Sequence, residues 1–245
     1  MLAADLLYEG KAKKIYRTDV PSVLLAVYKD DATAFNAQKR GEIVGKGKMN
    51  CAIAAHLFRQ LGAVGIPTHF IDQPAPDQMR VKAVTIIPLE VVVRNIAAGS
   101  LCQQTGLKLG TVLKQPLVDF YYKDDALGDP LLTRDRIALL ELATEAEVAQ
   151  LQHMALKINT ILSDFFQQCE ITLVDFKLEF GWDTHHQLLL ADEISPDTCR
   201  LWNQAEADPD RRILDKDRFR HDLGDVEAGY AQVMARVLAQ ARSHP

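Results

Sequence analysis

Cysteine is scarce in this sequence, and its spacing argues against a metal or disulfide framework. The chain holds four cysteines, Cys51, Cys102, Cys169 and Cys199, and none of them forms a CxxC pair. Structural zinc sites and disulfide-rich scaffolds need closely patterned cysteines, so neither is expected, and a reducing cytoplasm fits better. The first ten residues agree, because they carry acids and lack the basic start and apolar run of a signal peptide.

The sequence also lacks long hydrophobic runs and an excess of basic residues. Its longest apolar stretches, such as Val84–Val93, are broken by Thr, Pro and Glu and are too short to cross a bilayer. The formal net charge of -5 offers no general basic surface to a nucleic acid, although local basic clusters can still bind small phosphates. We therefore expect neither a membrane nor a nucleic acid among the partners. The 245 residues suffice for one large domain or two lobes.

Short β-rich segments dominate the first third of the chain, and helices and strands mix later. The strands expected early are Leu6–Tyr8, Lys13–Arg17, Val23–Tyr28, Thr68–Ile71 and Met79–Ile87. Apolar residues recur at helical spacing over residues 46–61 and again after Thr144, which forms a capping-box pattern with Glu147. The remaining predicted elements are two strands, at 171–180 and 187–194, and a closing helix at about 226–239.

This distribution predicts an α+β fold with two lobes. Pro88 cannot donate a hydrogen bond to a neighbouring strand, so we place the lobe boundary there. The expected lobes are a β-rich N-terminal lobe, residues 1–87, and a larger α/β lobe with the closing helix, residues 88–245. Because ligands often bind between lobes, the boundary is also where a binding site is expected.

The strongest chemical signal is the segment ITLVDFKLEFG, residues 171–181. Because side chains alternate across a strand, Asp175, Lys177 and Glu179 share one face, while apolar residues form the other. A solvated outer face is the simplest explanation of such a pattern. The strand that follows argues against that explanation.

A turn of two or four residues centred between Thr184 and His185 would place Asp192 opposite Lys177, on the face that also carries Glu179. Two carboxylates on one face could hold magnesium, which prefers oxygen ligands and usually also binds substrate phosphate. Lys177 beside them could neutralise the charge that develops on a transferred phosphoryl group. This placement depends on the register of the two strands.

Two other segments suit anions. The turn EGKAK holds Gly10, Lys11 and Lys13, whose backbone N–H and ammonium groups suit a triphosphate, although a basic hairpin tip would have the same composition. The segment RNIAAGS follows an apolar strand and supplies Arg94 and Ser100. Arg94 can grip a phosphate or carboxylate with its planar fork, and a surface arginine before a turn is the alternative.

Two loops complete the candidate residues. In DEISPDTCRLW, Asp197 and Arg200 follow the acidic strand closely enough to reach the same cleft, although an ion pair that serves only the loop is the alternative. The segment KDDALGDP carries Lys123 and Asp129, and a polar turn is the ordinary explanation of its composition.

Taken together, these segments resemble the SAICAR synthetase family, the phosphoribosylaminoimidazole-succinocarboxamide synthases of purine biosynthesis. The resemblance runs from LLYEGKAKKIY to KDRFR at 216–220. Two blocks are highly specific, IIPLEVVVRNIAAGS at 86–100 and LVDFKLEFG at 173–181. Their order, together with DEISPDTCRLW, makes a chance similarity very improbable.

The resemblance implies an ATP-dependent ligation. ATP, L-aspartate and 5-amino-1-(5-phosphoribosyl)imidazole-4-carboxylate would give the succinocarboxamide ribonucleotide, ADP and phosphate, with Mg²⁺ as the metal. It also implies a fold in which an antiparallel ATP-binding lobe packs on a larger α/β lobe, as in protein kinases. A homodimer is expected from the bacterial members.

The resemblance also implies a role for each matching residue. The residues expected to bind ATP are Gly10, Lys11, Ala12, Lys13 and Ile86, the last of them beside the adenine. The residues expected to bind the ribonucleotide are Arg94, Ser100, Asp175, Asp197 and Arg200. The expected magnesium ligands are Glu179 and Asp192. The expected catalytic group is Lys177, with Lys123 and Asp129 as weaker candidates near the reacting carboxylate or the aspartate.

Two other functions share part of this pattern. An ATP-dependent small-molecule kinase would use the same lysines and metal carboxylates but would need no amine acceptor. A non-catalytic nucleotide-binding module would keep the phosphate-binding lysines, but it would not need Glu179 and Asp192 on one face.

Overall fold

The computed structural model of the protein describes residues 5–34 and 38–240. The strands are β1 (Leu6–Glu9), β2 (Lys13–Arg17), β3 (Val23–Tyr28), β4 (Asp31–Ala34), β5 (Lys39–Glu42), β6 (Phe70–Ala75), β7 (Gln78–Lys82), β8 (Thr85–Ile96), β9 (Val112–Tyr122), β10 (Leu131–Leu132), β11 (Ile171–Trp182), β12 (Leu188–Ala191) and β13 (Cys199–Asn203). The helices are α1 (Lys46–Ala63), α2 (Ser100–Thr105), α3 (Arg134–Leu139), α4 (Glu145–Gln168), α5 (Asp217–Arg220) and α6 (Val226–Gln240), with a 3-10 turn at Asp125–Leu127.

The smaller sheet has the strand order β1-β2-β3-β7-β6, with antiparallel neighbours, and β4 and β5 form a separate hairpin. Helix α1 packs against β3, β6 and β7 of this sheet. The start of α1 is fixed by Asp30, whose carboxylate accepts hydrogen bonds from the backbone N–H of Gly45 at 2.9 Å and of Gly47 at 2.8 Å. The helix buries Ile53 and Leu57 in the main core.

The larger sheet has the order β10-β9-β8-β11-β12, with β13 also paired to β11. Helix α4 packs across β8, β9 and β11. Its predicted capping box is present, because Thr144 and Glu147 exchange hydrogen bonds between side chain and backbone. The apolar face of β11, with Phe176 and Phe180, is buried in the same core as Ile158 of α4. These antiparallel sheets, with α6 closing the chain, confirm the predicted α+β class.

Strand β8 runs through the predicted lobe boundary. It pairs with β11 on both sides of Pro88, and the register shifts between the pairs Glu179–Glu90 and Gly181–Ile86, so the proline lies at an irregularity but does not end the strand. Helix α6 packs against α1, which lies in the predicted N-terminal lobe. The division into residues 1–87 and 88–245 stays a prediction. Within the described part of the chain, none of the helices combines the length and hydrophobicity that a membrane crossing needs.

The register of β11 and β12 differs from the prediction by one residue. Glu179 pairs with Ala191, so a continued strand would place Asp192 opposite Leu178, on the face away from Lys177. Strand β12, however, ends at Ala191, and Asp192 has a φ of 58°. The expected pairing of Asp192 with Lys177 across two strands is therefore wrong, and Asp192 follows a different path.

Candidate active site

One face of the larger sheet carries polar side chains from three neighbouring strands, and we call it the polar face. Its polar members are Glu90 and Arg94 of β8, Asp119 and Tyr121 of β9, and Asp175, Lys177 and Glu179 of β11, with the apolar Val92 between Glu90 and Arg94. Cross-strand partners point the same way, which brings these residues together. Only 3% of Arg94, 4% of Asp175 and 5% of Glu179 is exposed. A solvated outer face therefore does not explain the pattern.

Lys177 lies among three carboxylates. Its Nζ is 2.8 Å from Oε1 of Glu90, 2.8 Å from Oε1 of Glu179 and 3.9 Å from Oδ2 of Asp192. Burial alone would lower the pKa of Lys177, but the three carboxylates outweigh it and raise that pKa well above its usual value. Lys177 therefore carries its charge throughout the physiological pH range.

Asp192 reaches the same cluster because its backbone turns into the left-handed region at the end of β12. Its Oδ1 is 2.5 Å from Nζ of Lys13, and that ammonium is also 3.1 Å from Oε1 of Glu193. Burial alone would raise the pKa of Asp192, but Lys13 and Lys177 hold it well below its usual value. Lys13 and Lys177 thus bracket Asp192, and β2 of the small sheet meets β11 of the large sheet here.

The hairpin between β1 and β2 lies over the loop that follows β9. The backbone N–H of Gly10 donates to the carbonyl of Lys13 at 2.8 Å and closes the hairpin. Lys11 extends to the surface and contacts Oδ1 of Asp125 at 2.7 Å, whereas Lys13 points into the buried cluster. Two lysines two residues apart thus contact different carboxylates, one at the surface and one in the buried cluster.

The loop after β9 carries two candidate residues, and one of them, Lys123, reaches the cluster of charged side chains around Lys177. Nζ of Lys123 is 3.0 Å from Oε1 of Glu179. Burial would lower the pKa of Lys123, but Glu179 raises it above its usual value. The carboxylate of Asp129, by contrast, accepts the backbone N–H of Asp124 at 3.1 Å and stabilises the turn.

The two predicted magnesium ligands suit a metal that substrate also binds. Glu179 and Asp192 both contact Nζ of Lys177, so their oxygens face one small region. Among residues 5–34 and 38–240, no three His, Cys, Asp or Glu side chains cluster in a way that could hold a metal. Two carboxylates completed by phosphate oxygens and water are an ordinary donor set for magnesium. The residues therefore fit a metal shared with a nucleotide.

Arg94 lies at the far end of the polar face and is surrounded by partners. Its guanidinium donates to Asp119 at 2.8 Å, to Asp175 at 3.2 Å, to the Ser100 hydroxyl at 3.1 Å and to the Tyr121 hydroxyl at 2.8 Å. This network orders Ser100 and Asp175 relative to each other.

Arg200 of β13 faces Arg94 across Asp175. It donates to the two oxygens of Asp175 at 2.9 and 3.1 Å and to Asp217 at 2.7 Å. Its guanidinium passes close to Gly99, where an added Cβ would lie 2.8 Å from Cζ of the arginine. Gly99 also has a φ of 53°. A side chain at this position would therefore both clash with Arg200 and strain the backbone.

A pocket lies between these strands, and we call it the arginine pocket. Its lining includes Arg94, Ser100, Asp175, Lys177, Arg200, Lys216 and Arg220. Asp197 stands at its border, in the loop between β12 and β13. Its carboxylate is 2.6 Å from Nζ of Lys46 and accepts a hydrogen bond of 2.7 Å from Tyr230. Burial alone would raise the pKa of Asp197, but Lys216 and Lys46 hold it well below its usual value.

The chain closely matches one family. A sequence model described as SAICAR synthetase matches residues 6–237. The chain belongs to the SAICAR synthetase family. It is 73% identical over 240 residues to the phosphoribosylaminoimidazole-succinocarboxamide synthase of Acaryochloris marina, with 98% of each chain covered.

Two solved structures of SAICAR synthetases share this fold. The synthase from Ehrlichia chaffeensis has a TM-score of 0.91 at 43% identity, covering 98% of this chain and 100% of that one. A SAICAR synthetase in complex with ADP has a TM-score of 0.89 at 43% identity, covering 94% of this chain and 96% of that one. The predictions of family, fold and enzyme class are confirmed, and the chain is an ATP-dependent ligase of purine biosynthesis that uses L-aspartate. The kinase alternative is not favoured.

Sequence reasoning missed several residues of this SAICAR synthetase site. They are Lys46, Glu90, Asp119, Tyr121, Glu193, Lys216, Asp217, Arg220 and Tyr230. A signal existed for Glu90, because it shares the alternation of Arg94 along β8. The glycines on either side of Lys46 were a second, weaker signal of a constrained turn.

Proposed function

We propose that the polar face performs the family reaction by first activating the ribonucleotide carboxylate with ATP. A carboxylate is a poor acyl donor at neutral pH, so the γ-phosphoryl group moves to a carboxylate oxygen and ADP leaves. The amine of L-aspartate then attacks the carbonyl carbon, the bond to the phosphate oxygen breaks, and a proton leaves the nitrogen. The products are the succinocarboxamide ribonucleotide, ADP and phosphate.

One observation carries this proposal. The lysine–carboxylate cluster around Lys177 and the arginine pocket are continuous, because Lys177 and Asp175 are alternate residues of one strand and both line the pocket. A nucleotide phosphate bound at the cluster and a ribonucleotide bound in the pocket would therefore meet at Lys177. Such proximity is what a transfer between two bound substrates needs.

ATP would lie between the β1–β2 hairpin and the polar face. Gly10, Lys11 and Ala12 form the hairpin tip above Lys13, whose ammonium lies in the cluster. In this proposal their backbone N–H and ammonium groups cover the phosphates. Ile86 is 36% exposed on β8, which offers an apolar surface to the adenine. The ADP complex of a relative at 43% identity supports nucleotide binding.

Glu179 and Asp192 would hold Mg²⁺ together with the ATP phosphates. When bound, the metal would neutralise charge on the phosphate oxygens. Lys177 would neutralise charge on the transferring group, and Lys123, which also contacts Glu179, would add a second positive charge from the loop after β9. Asp129 lies in the same loop, and we keep it as the weaker candidate for contact with the aspartate.

The ribonucleotide would lie in the arginine pocket. Arg200 and Ser100 would bind its phosphate, with Arg94 holding Ser100 and Asp175 in place. Asp175 and Asp197 would contact the ribose or the ring. Arg94 is 3% exposed and already has four partners, so we assign it the smaller share of direct phosphate contact.

We propose that the enzyme acts in the cytoplasm, since all three of its substrates are small, soluble molecules. Cys51, Cys102, Cys169 and Cys199 are unpaired in the structure, which supports a reducing compartment. We also propose a homodimer, with no nucleic-acid or membrane partner. Light scattering of the purified protein tests the dimer, and a monomer at micromolar concentration would contradict it.

The decisive experiment measures ADP formation and phosphate release with and without L-aspartate. We expect sustained formation of both products only when aspartate and the ribonucleotide carboxylate are present, whereas sustained ADP formation without aspartate and without phosphate release would indicate a kinase. Replacement of Lys177 or Glu179 by Ala should lower kcat by roughly 10²–10³-fold, because each acts on charge that develops during transfer. Lys157→Ala on the exposed side of α4 is the matched control. Near-normal turnover in a folded Lys177→Ala protein would disprove the assignment.

A further inference from the structure

The carboxylate of Asp197 is held by two residues that lie far from it in the sequence. Nζ of Lys46, in the first turn of α1, is 2.6 Å from Oδ2, and the hydroxyl of Tyr230, in α6, donates to Oδ1 at 2.7 Å. Lys46 is 1% exposed and Tyr230 is 0% exposed. Asp197 lines the arginine pocket, whereas neither Lys46 nor Tyr230 is among its lining residues.

Lys46 is itself held on both sides. The backbone N–H groups of its neighbours, Gly45 and Gly47, both donate to the carboxylate of Asp30. Gly47 also packs so closely on β3 that an added Cβ would lie 2.8 Å from the carbonyl oxygen of Tyr28. The backbone of Lys46 is therefore fixed by Asp30 and β3, independently of the loop that its ammonium group contacts.

The loop that carries Asp197 connects the two parts of the site. Glu193 at its start contacts Lys13 of the lysine–carboxylate cluster, and Arg200 follows its end. Within the loop, the Ser195 hydroxyl donates to Glu193 at 2.6 Å and accepts the backbone N–H of Asp197 at 3.1 Å. A displacement of Asp197 would therefore reach both the cluster and the pocket.

Stability alone does not account for this arrangement. Removing an ammonium and a carboxylate from water is costly, and apolar residues of similar volume often replace a buried ion pair without loss. The hydroxyl of Tyr230 also donates its hydrogen bond to this carboxylate. Lys46 and Tyr230 together hold the charged carboxylate of Asp197 in one fixed orientation at the pocket border. Apolar packing would not do this.

We propose that Lys46 and Tyr230 are positioning residues that orient Asp197 for contact with the ribonucleotide. This role rests on the proposed function, in which Asp197 contacts the ribose or the ring. It assigns to α1 and α6 a part in substrate binding, although neither residue lines the pocket. It also gives a reason for the packing of α6 on α1.

The test is Tyr230→Phe, which removes one hydroxyl and keeps the buried ring. We expect the Kd of the ribonucleotide carboxylate, measured by calorimetry without ATP, to rise about tenfold, as for a lost hydrogen bond to a charged group. The KM of ATP should stay within about twofold of the wild-type value. Tyr16→Phe is the matched control, since Tyr16 is half-buried on β2, away from the pocket.

A purely structural role would lower the melting temperature and leave the ribonucleotide Kd unchanged in the folded protein, and that result would overturn the proposal. A second test combines Tyr230→Phe with Asp197→Asn. If Tyr230 acts through Asp197, the double variant binds the ribonucleotide no more weakly than Asp197→Asn alone. Additive losses would also overturn it. A failure of the ligation itself would be seen in the wild-type enzyme, before any variant is compared.

Discussion

Gly99→Ala is the substitution for which the structure gives the sharpest expectation. Gly99 precedes α2 with φ 53° and ψ -131°, a backbone conformation that residues with a side chain rarely adopt. An alanine Cβ there would lie 2.8 Å from Cζ of Arg200 and closer still to one of its nitrogens. The substitution therefore strains the backbone and displaces the guanidinium at the same time.

The two effects have different magnitudes and different readouts. Backbone strain of this kind costs about 1–3 kcal/mol, and for a protein of this size each kcal/mol lowers the melting temperature by about 2–4 °C. Displacing Arg200 breaks its bonds to Asp175 at 2.9 Å and to Asp217 at 2.7 Å. If the moved guanidinium loses one charge-assisted contact with substrate, about 1.5–3 kcal/mol of binding is lost, or about 10–150-fold in the ribonucleotide KM.

Gly106→Ala separates strain from displacement. Gly106 ends the same helix with a φ of 74°, and nothing lies within 4 Å of an added Cβ. We expect it to lower the melting temperature while leaving the ribonucleotide KM unchanged, whereas Gly99→Ala changes both. Thermal unfolding and initial-rate kinetics on the two proteins provide the comparison. The reasoning fails if folded Gly99→Ala keeps the wild-type KM, or if Gly106→Ala raises that KM equally.

Two further predictions concern buried charges. Lys13→Met leaves Asp192 and Glu193 without their shared lysine. The unfolding free energy at pH 7, measured by urea titration, should therefore fall by roughly 3–5 kcal/mol. A loss as small as that caused by the control substitution Lys157→Met would contradict this. Burial, and after it the charge of Asp217, raises the pKa of Asp215 to about 7. The stability that protonated Asp215 contributes is therefore fully present below its unfolded pKa and is lost as the pH rises through 7. Asp215→Asn should therefore make the unfolding free energy less dependent on pH between about 4 and 7, and an unchanged slope would refute the assignment.

The alternation of residues along β11 was enough to predict the polar face. Asp175, Lys177 and Glu179 lie on it as expected, because a strand with one buried apolar face leaves its other side chains no choice of direction. The same rule applied to β8 would have added Glu90 to Arg94. What the rule could not supply is burial, since a face opposite the core is covered only when other elements pack over it.

The register could not be read because the hairpin loop has an unexpected length. Five residues, 183–187, separate β11 from β12, where a loop of two or four residues was predicted. The Asp183 carboxylate accepts the backbone N–H groups of His185 and Gln187, and His186 adopts a φ of 57°. A loop with an odd number of residues shifts the register of the two strands by one residue. The left-handed backbone of Asp192 then brings its carboxylate back towards Lys177. Aspartate is among the residues that tolerate this conformation, but nothing in the sequence required it here.

Contacts between distant segments were beyond any local pattern. Lys46 and Tyr230 meet at Asp197 only because α1 and α6 pack together, and no periodicity in either helix points to a partner in another segment. Glycine gave the only local hint, since a lysine between two glycines is an unusual way to begin a helix.

Two of the cations that would meet an anionic substrate, Lys177 and Arg200, are already held by carboxylates. Lys177 contacts Glu90 and Glu179, and Arg200 contacts Asp175 and Asp217. Groups fixed in this way need little reorganisation when charge develops, which is the main electrostatic contribution to catalysis. A neutral residue in place of a holding carboxylate should therefore weaken the site by loosening a cation, even where that carboxylate never contacts substrate.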